Sequence, residues 1–146
     1  MKAKTERTRI LVICTGNTCR SQMAEGIIKN IDNTLKVFSA GSMPEQKVNP
    51  YAVKVMQEIG IDISGNVPKG VNIFTGEDFD YVFTVCDNAK EICPVFTGKV
   101  NNRVHAGFED PACAKGTNEE ILEVYRSVRD KIKKYFEDFF KAALKH

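Results

Sequence analysis

The chain has 146 residues, 42% of them hydrophobic and 27% charged, and a formal net charge of +2. This composition fits one folded domain with a proper core and excludes an intrinsically disordered chain. The near-balanced charge gives no global attraction for nucleic acid, so a preference for anions has to come from a local site.

The first apolar run is Ile10-Leu11-Val12-Ile13-Cys14, behind a polar stretch. It is too short to span a membrane and no small-residue cleavage site follows it, so it reads as a buried strand over 9–14 in a cytoplasmic protein. Residues 20–31 carry Met23, Ala24, Ile27, Ile28 and Ile31 on one side, the spacing of a helix. Leu35 to Ser39 predicts a second strand, closed by Ala40-Gly41. Asn49-Pro50 reads as an N-cap and first helical position, opening a helix through Val53, Val55, Met56 and Ile59 that stops at Gly60. Residues 62–79 hold Gly65, Pro68, Gly70 and Gly76 without a sustained period and read mostly as loop. Asp80 to Cys86 predicts a third buried strand. A weaker strand is expected over Asn102 to Ala106, before a loop over 107–116. Thr117-Asn118-Glu119-Glu120 fits a capping box, and apolar side chains at 121, 122, 125, 128, 132, 136, 139 and 140 continue it as a long helix. Alternating strands and helices imply a single α/β domain over residues 1–146 with a parallel sheet. Ligands of such folds bind at the carboxyl ends of the strands, where Cys14, Cys86 and the loop around Asp110 emerge.

The segment Cys14-Thr15-Gly16-Asn17-Thr18-Cys19-Arg20-Ser21 joins the first strand to the first helix. Gly16 permits backbone conformations closed to other residues, and Asn17 tolerates a left-handed one. Inward-turned N–H groups of residues 15–20 would form a nest for a tetrahedral anion, with the positive end of the helix beneath it. Arg20 adds a planar fork of donors suited to phosphate-like oxygens. The same field favours the thiolate form of Cys14, and the Ser21 hydroxyl is placed to donate to its sulfur. The loop therefore reads as a site that binds an oxyanion and attacks its central atom.

With the continuation Ser21-Gln22-Met23-Ala24-Glu25-Gly26, this loop resembles the active site of the low-molecular-weight tyrosine phosphatase superfamily, and within it the thioredoxin-coupled arsenate reductases. The resemblance runs on through Phe38-Ser39-Ala40-Gly41, Asn49-Pro50, Gly60-Ile61-Asp62-Ile63-Ser64 and Gly107-Phe108-Glu109-Asp110-Pro111. It implies a three-layer α/β sandwich around a four-stranded parallel sheet, and Asp110 as the general acid that protonates the leaving oxygen.

Five cysteines, an odd number in a chain read without a secretion signal, point to chemistry rather than a static disulfide framework. No Cys-x2-Cys pair occurs and the only imidazoles are His105 and His146, which argues against a structural zinc site. Cys86 and Cys93 match the reductases' redox pair in position and spacing. The resemblance implies a relay in which Cys14 attacks arsenate, Cys86 attacks Cys14 and releases arsenite, and Cys93 carries the disulfide outward for thioredoxin to reduce. A regular helix over residues 86–93 would hold the two Cα atoms ~10 Å apart, whereas a disulfide needs about 4.4–6.8 Å, so this segment is expected to rearrange on oxidation. Cys19 is read as structural, Cys113 has no derived role, and His105 is read as a packing or surface residue.

Some of the similar reductases bind potassium near the loop. Asn17, Glu25 and Ser39 match three of its ligand positions, but the fourth falls at or near Lys69, whose ammonium would stand in for the ion. No tightly bound cofactor and no dependence on potassium are expected. Arsenate and thioredoxin are the expected partners, with no nucleic acid or membrane, and the chain is expected to be a monomer. The alternative is a phosphatase acting on phosphate monoesters. The residues Ala112-Cys113-Ala114, which offer no aromatic face to a tyrosine substrate, count against it.

Overall fold

The computed structural model describes residues 8–87 and 95–143. Strand β1 is Arg9–Cys14, helix α1 Arg20–Ile31, strand β2 Lys36–Gly41 and helix α2 Pro50–Gln57. Strand β3, Phe79–Thr84, strand β4, Val100–His105, and helix α3, Asn118–Ala143, follow, with short 3-10 turns at Val71–Phe74 and Pro111–Cys113. The four strands form one sheet in the order β2-β1-β3-β4, and every pairing is parallel.

β1 lies at the centre and is apolar on both faces because both are covered. Ile10 and Val12 pack with Met23, Ile27 and Ile28 of α1, Val55 and Met56 of α2, and Val128, Ile132 and Phe136 of α3. Leu11 and Ile13 face the other way, onto Phe74, Phe79, Val82 and Phe96. The aromatic end of α3 belongs to the core: Phe136 and Phe140 are buried and meet Phe83 at ring-centroid distances of 4.9 and 5.9 Å.

Several element ends differ from the sequence reading. β2 runs on through Gly41 because its last residues pair with Ile13 and Cys14, and β3 stops at Thr84, two residues short of Cys86. α2 ends at Gln57, and the chain then turns through Gly60 at a φ of 80°. The stretch read as loop contains the turn Val71–Phe74, whose buried Phe74 anchors it to the sheet. The capping box forms as expected: Thr117 Oγ1 accepts from the Glu120 N–H at 3.1 Å, and Glu120 Oε1 accepts from the Thr117 N–H at 2.9 Å.

Glu58, just past α2, ties that helix to α3. Its carboxylate accepts from Arg126 at 2.8 and 2.9 Å and from Arg129 at 2.8 Å, while Arg129 also donates to the Val55 carbonyl at 2.9 Å. Hydrogen bonding from Arg126, then from Arg129, holds the Glu58 carboxyl at about 2 against an ordinary 4.5. A depressed carboxylate contributes stability above its unfolded value and loses it as the pH falls through the folded one. Urea unfolding of Glu58→Gln is therefore expected to show its full deficit at pH 7 and a shrinking deficit between about pH 4.5 and 2. The side chain is 32% exposed, so solvent screening keeps this deficit modest. An equal deficit at pH 7 and pH 3 would exclude the ionic origin.

Candidate active site

β1 delivers Cys14 to the carboxyl end of the sheet, and α1 begins at Arg20. The intervening loop curls around a cavity of about 330 Å³ lined by Cys14, Gly16, Thr18, Arg20, Met43 and Asp110, among others. Cys14 is a free thiol, 2% exposed. Its sulfur lies 3.0 Å from the Ser21 hydroxyl.

The turn is made by Asn17, which has a φ of 57°. Gly16 is not in the left-handed region. A Cβ there would lie 2.8 Å from Glu45 Oε2, the end of an exposed side chain that can turn aside. The fully buried Asn17 is held at both ends of its amide. Its Oδ1 accepts from the Lys69 backbone N–H at 2.9 Å and from Gln22 Nε2 at 3.1 Å. Because a backbone N–H can only donate, this fixes Nδ2 as the other end. Nδ2 donates to Ser21 at 2.8 Å and to Ser39 at 3.0 Å, and Ser39 donates to Glu25 at 2.6 Å. Ser21 thus accepts from Asn17 and keeps its own proton for Cys14.

Arg20 is 4% exposed. It donates to the Phe108 carbonyl at 3.1 Å and approaches Asp110 Oδ2 at 3.7 Å. Asp110 caps the turn Pro111–Cys113, with its Oδ1 accepting from the Ala112 N–H at 2.9 Å. The loop and Asp110 therefore meet at one cavity. Burial pushes the Cys19 thiol up to about 11, against hydrogen bonds with Thr18 and Tyr125 that act the other way. Cys19 therefore stays protonated near neutrality beside the nucleophile. Cys113 is an exposed free thiol, and His105 is exposed with its Nδ1 2.7 Å from Thr84 Oγ1.

Cys86 is fully buried just beyond β3 and is disulfide-bonded. The register Ile13↔Thr84 sets Cys14 beside Val85, one residue short of Cys86, on adjacent strands that lie about 4.8 Å apart. The Val85 N–H donates to the Ile13 carbonyl at 3.1 Å and fixes that alignment. Cys93 lies outside the described residues, as does most of the segment expected to rearrange.

The ammonium that meets the polar network is that of Lys29. It sits one helical turn from Glu25 and contacts its carboxylate at 2.7 Å. Lys69 contributes its backbone N–H, while its ammonium turns to the Val67 carbonyl at 3.0 Å. The sequence reading thus named the wrong lysine. The Glu25–Lys29 spacing of four was the available signal.

Two contributors to the cavity wall carry no motif. The Ser42, Met43 and Glu45 N–H groups donate to the Cys14, Thr15 and Gly16 carbonyls at 3.2, 2.9 and 3.1 Å. This zipper brings Met43 and Glu45 to the mouth. It depends on Gly41, where a Cβ would lie 2.3 Å from the Thr15 carbonyl oxygen. Among the described residues, no helix is long and apolar enough to cross a membrane.

Residues 9–146 match the low molecular weight phosphotyrosine protein phosphatase family. The chain is similar to an arsenate reductase of Halalkalibacterium halodurans, with 47% identity over 131 residues covering 89% of this chain and 93% of the relative. An arsenate reductase of Bacillus subtilis is 42% identical over 135 residues, covering 92% of this chain and 96% of the relative. Among solved structures, an arsenate reductase in its phosphate-binding state has a TM-score of 0.77 at 31% identity, covering 92% of this chain and 98% of that one.

Proposed function

This chain belongs to the low molecular weight phosphotyrosine protein phosphatase family, and from that premise we propose that it is an enzyme reducing arsenate to arsenite by a thiol relay. The observation that carries the relay is the strand register that sets Cys14 one residue short of Cys86. A phosphatase needs the nucleophile, the arginine and an acid. A reductase must also take up two oxidising equivalents, and a second sulfur beside the first is the means.

Arsenate binds in the loop of residues 15–20 with Arg20 on its oxygens. The Cys14 sulfur forms a bond to arsenic while one arsenate hydroxyl leaves as water, taking its second proton from Asp110. Ser21 holds the sulfur's negative charge until attack. The Cys86 thiolate then bonds to the Cys14 sulfur. The sulfur–arsenic bond breaks toward arsenic, which leaves as arsenite, two electrons richer, and the two sulfurs are oxidised to a disulfide. Cys93 attacks Cys86, frees Cys14 as a thiolate, and presents the new disulfide to a dithiol reductant, thioredoxin.

The test is arsenate-dependent NADPH oxidation in the presence of thioredoxin and thioredoxin reductase, set against hydrolysis of a phosphate monoester by the same preparation. Arsenate reduction is expected to dominate. Ester hydrolysis far above it would make the chain a phosphatase instead. With Lys29 on the Glu25 carboxylate, the reductase rate is expected to be the same in sodium and in potassium.

A further inference from the structure

The cavity over Cys14 continues into a second one. A groove of about 520 Å³ shares Thr18, Glu45 and Ala112 with it and extends past Lys47 and Asn49 to Pro50. A free tetrahedral oxyanion fills only the first part. A substituent on that anion that extends into the groove crosses the shared wall, and Glu45 is the charged residue of that wall.

The carboxylates at the mouth differ in their surroundings. Asp110 has Arg20 at 3.7 Å and the Ala112 N–H at 2.9 Å. Glu45 is exposed, and no cation lies within ion-pair distance of it among the described residues. Its backbone is fixed by the bond to Gly16, and its Oε2 lies where a Gly16 side chain would begin. Its carboxylate thus stands beside the anion cradle at the end of an exposed side chain, with no ion pair among the described residues. Lys47, the other charged lining group, lies further along the groove and does not line the catalytic cavity.

We propose that Glu45 is a specificity-determining residue that reads the charge of whatever is bonded to the oxyanion. It favours phosphomonoesters with a cationic substituent over those with a neutral one, and these over anionic ones. Phosphate and arsenate share shape and charge, so Glu45 does not separate them. It sorts free anions and cationic esters from the acidic esters that would otherwise occupy the loop. An unpaired charge at this range, near the surface, acts through a dielectric well above that of the interior. Discrimination of roughly 3–10-fold per unit of substituent charge is expected.

The test uses three small alkyl phosphates that differ in substituent charge: 2-aminoethyl, ethyl and carboxymethyl phosphate. Each is titrated as a protector of Cys14 against iodoacetamide, a neutral reagent, with the Cys14 peptide followed by mass spectrometry. This readout is independent of arsenate reduction, so failure of the reductase reading leaves it intact. Wild type is expected to bind the three in the order given, Glu45→Gln to bind them within about twofold of one another, and Glu45→Lys to reverse the order. Lys47→Gln is expected to keep the wild-type order. An unchanged order in Glu45→Gln, or a collapse produced by Lys47→Gln instead, overturns the proposal.

Discussion

Gly41→Ala is expected to lower kcat/KM by about 100-fold or more while leaving every side chain of the active-site loop in the sequence. The added methyl would lie 2.3 Å from the Thr15 carbonyl oxygen and 3.0 Å from the Asn17 nitrogen. Both are backbone atoms of the anion loop, so no side chain can turn aside to relieve the clash. Either β2 retreats or the loop does. β2 is held in register by Ile13 and Cys14, and the Gly41 N–H donates to the Lys69 carbonyl at 2.8 Å. The loop is therefore the part that gives way, and it carries the donors whose aim determines oxyanion binding. Overpacking of this kind costs stability as well, about 1–3 kcal/mol. Gly65→Ala is the control, since nothing lies within 4 Å of its added methyl. Turnover and urea unfolding of the two variants separate the effects. A Gly41→Ala protein with wild-type kcat/KM would show that the close approach of β2 to the loop is not required.

That glycine marks the boundary of what the sequence makes legible. The nucleophile loop can be read because its signals are local: an apolar strand, an Asn able to adopt positive φ, and a helix opening on Arg20 and Ser21. The alternation of elements carries the parallel sheet for the same reason. Gly41 reads only as the end of a strand, because its constraint is a contact with Thr15, across the chain. Glu45 is an unremarkable loop carboxylate until three backbone hydrogen bonds bring it to the cavity. Gly16 shows the reverse case. Its type is right for the loop, but Asn17 rather than Gly16 takes the left-handed turn. Strand ends shifted by two residues for a similar reason, since pairing partners rather than propensity decide where a ladder stops.

The cysteine variants separate binding from reduction in a way that rate measurements alone do not. Serine is close to cysteine in size, so each substitution removes a redox partner with little change in packing. Cys86→Ser lacks the sulfur that releases arsenite, so it is expected to take up arsenate at Cys14 and release none. Cys93→Ser still has Cys14, at the end of β1, and Cys86, two residues past β3. It is expected to release one arsenite per enzyme, accumulate a Cys14–Cys86 disulfide and then stop, because thioredoxin meets no outward disulfide. Steady-state NADPH oxidation falls to background in both, yet arsenite counted in a single turnover distinguishes them, and peptide mapping identifies the stalled linkage. Cys19→Ser bears on the same question from inside the loop. That thiol is held protonated by burial and is expected to be dispensable for the single turnover. A Cys93→Ser enzyme that cycles at the wild-type rate would remove the third thiol from the mechanism and require thioredoxin to attack the Cys14–Cys86 bond directly.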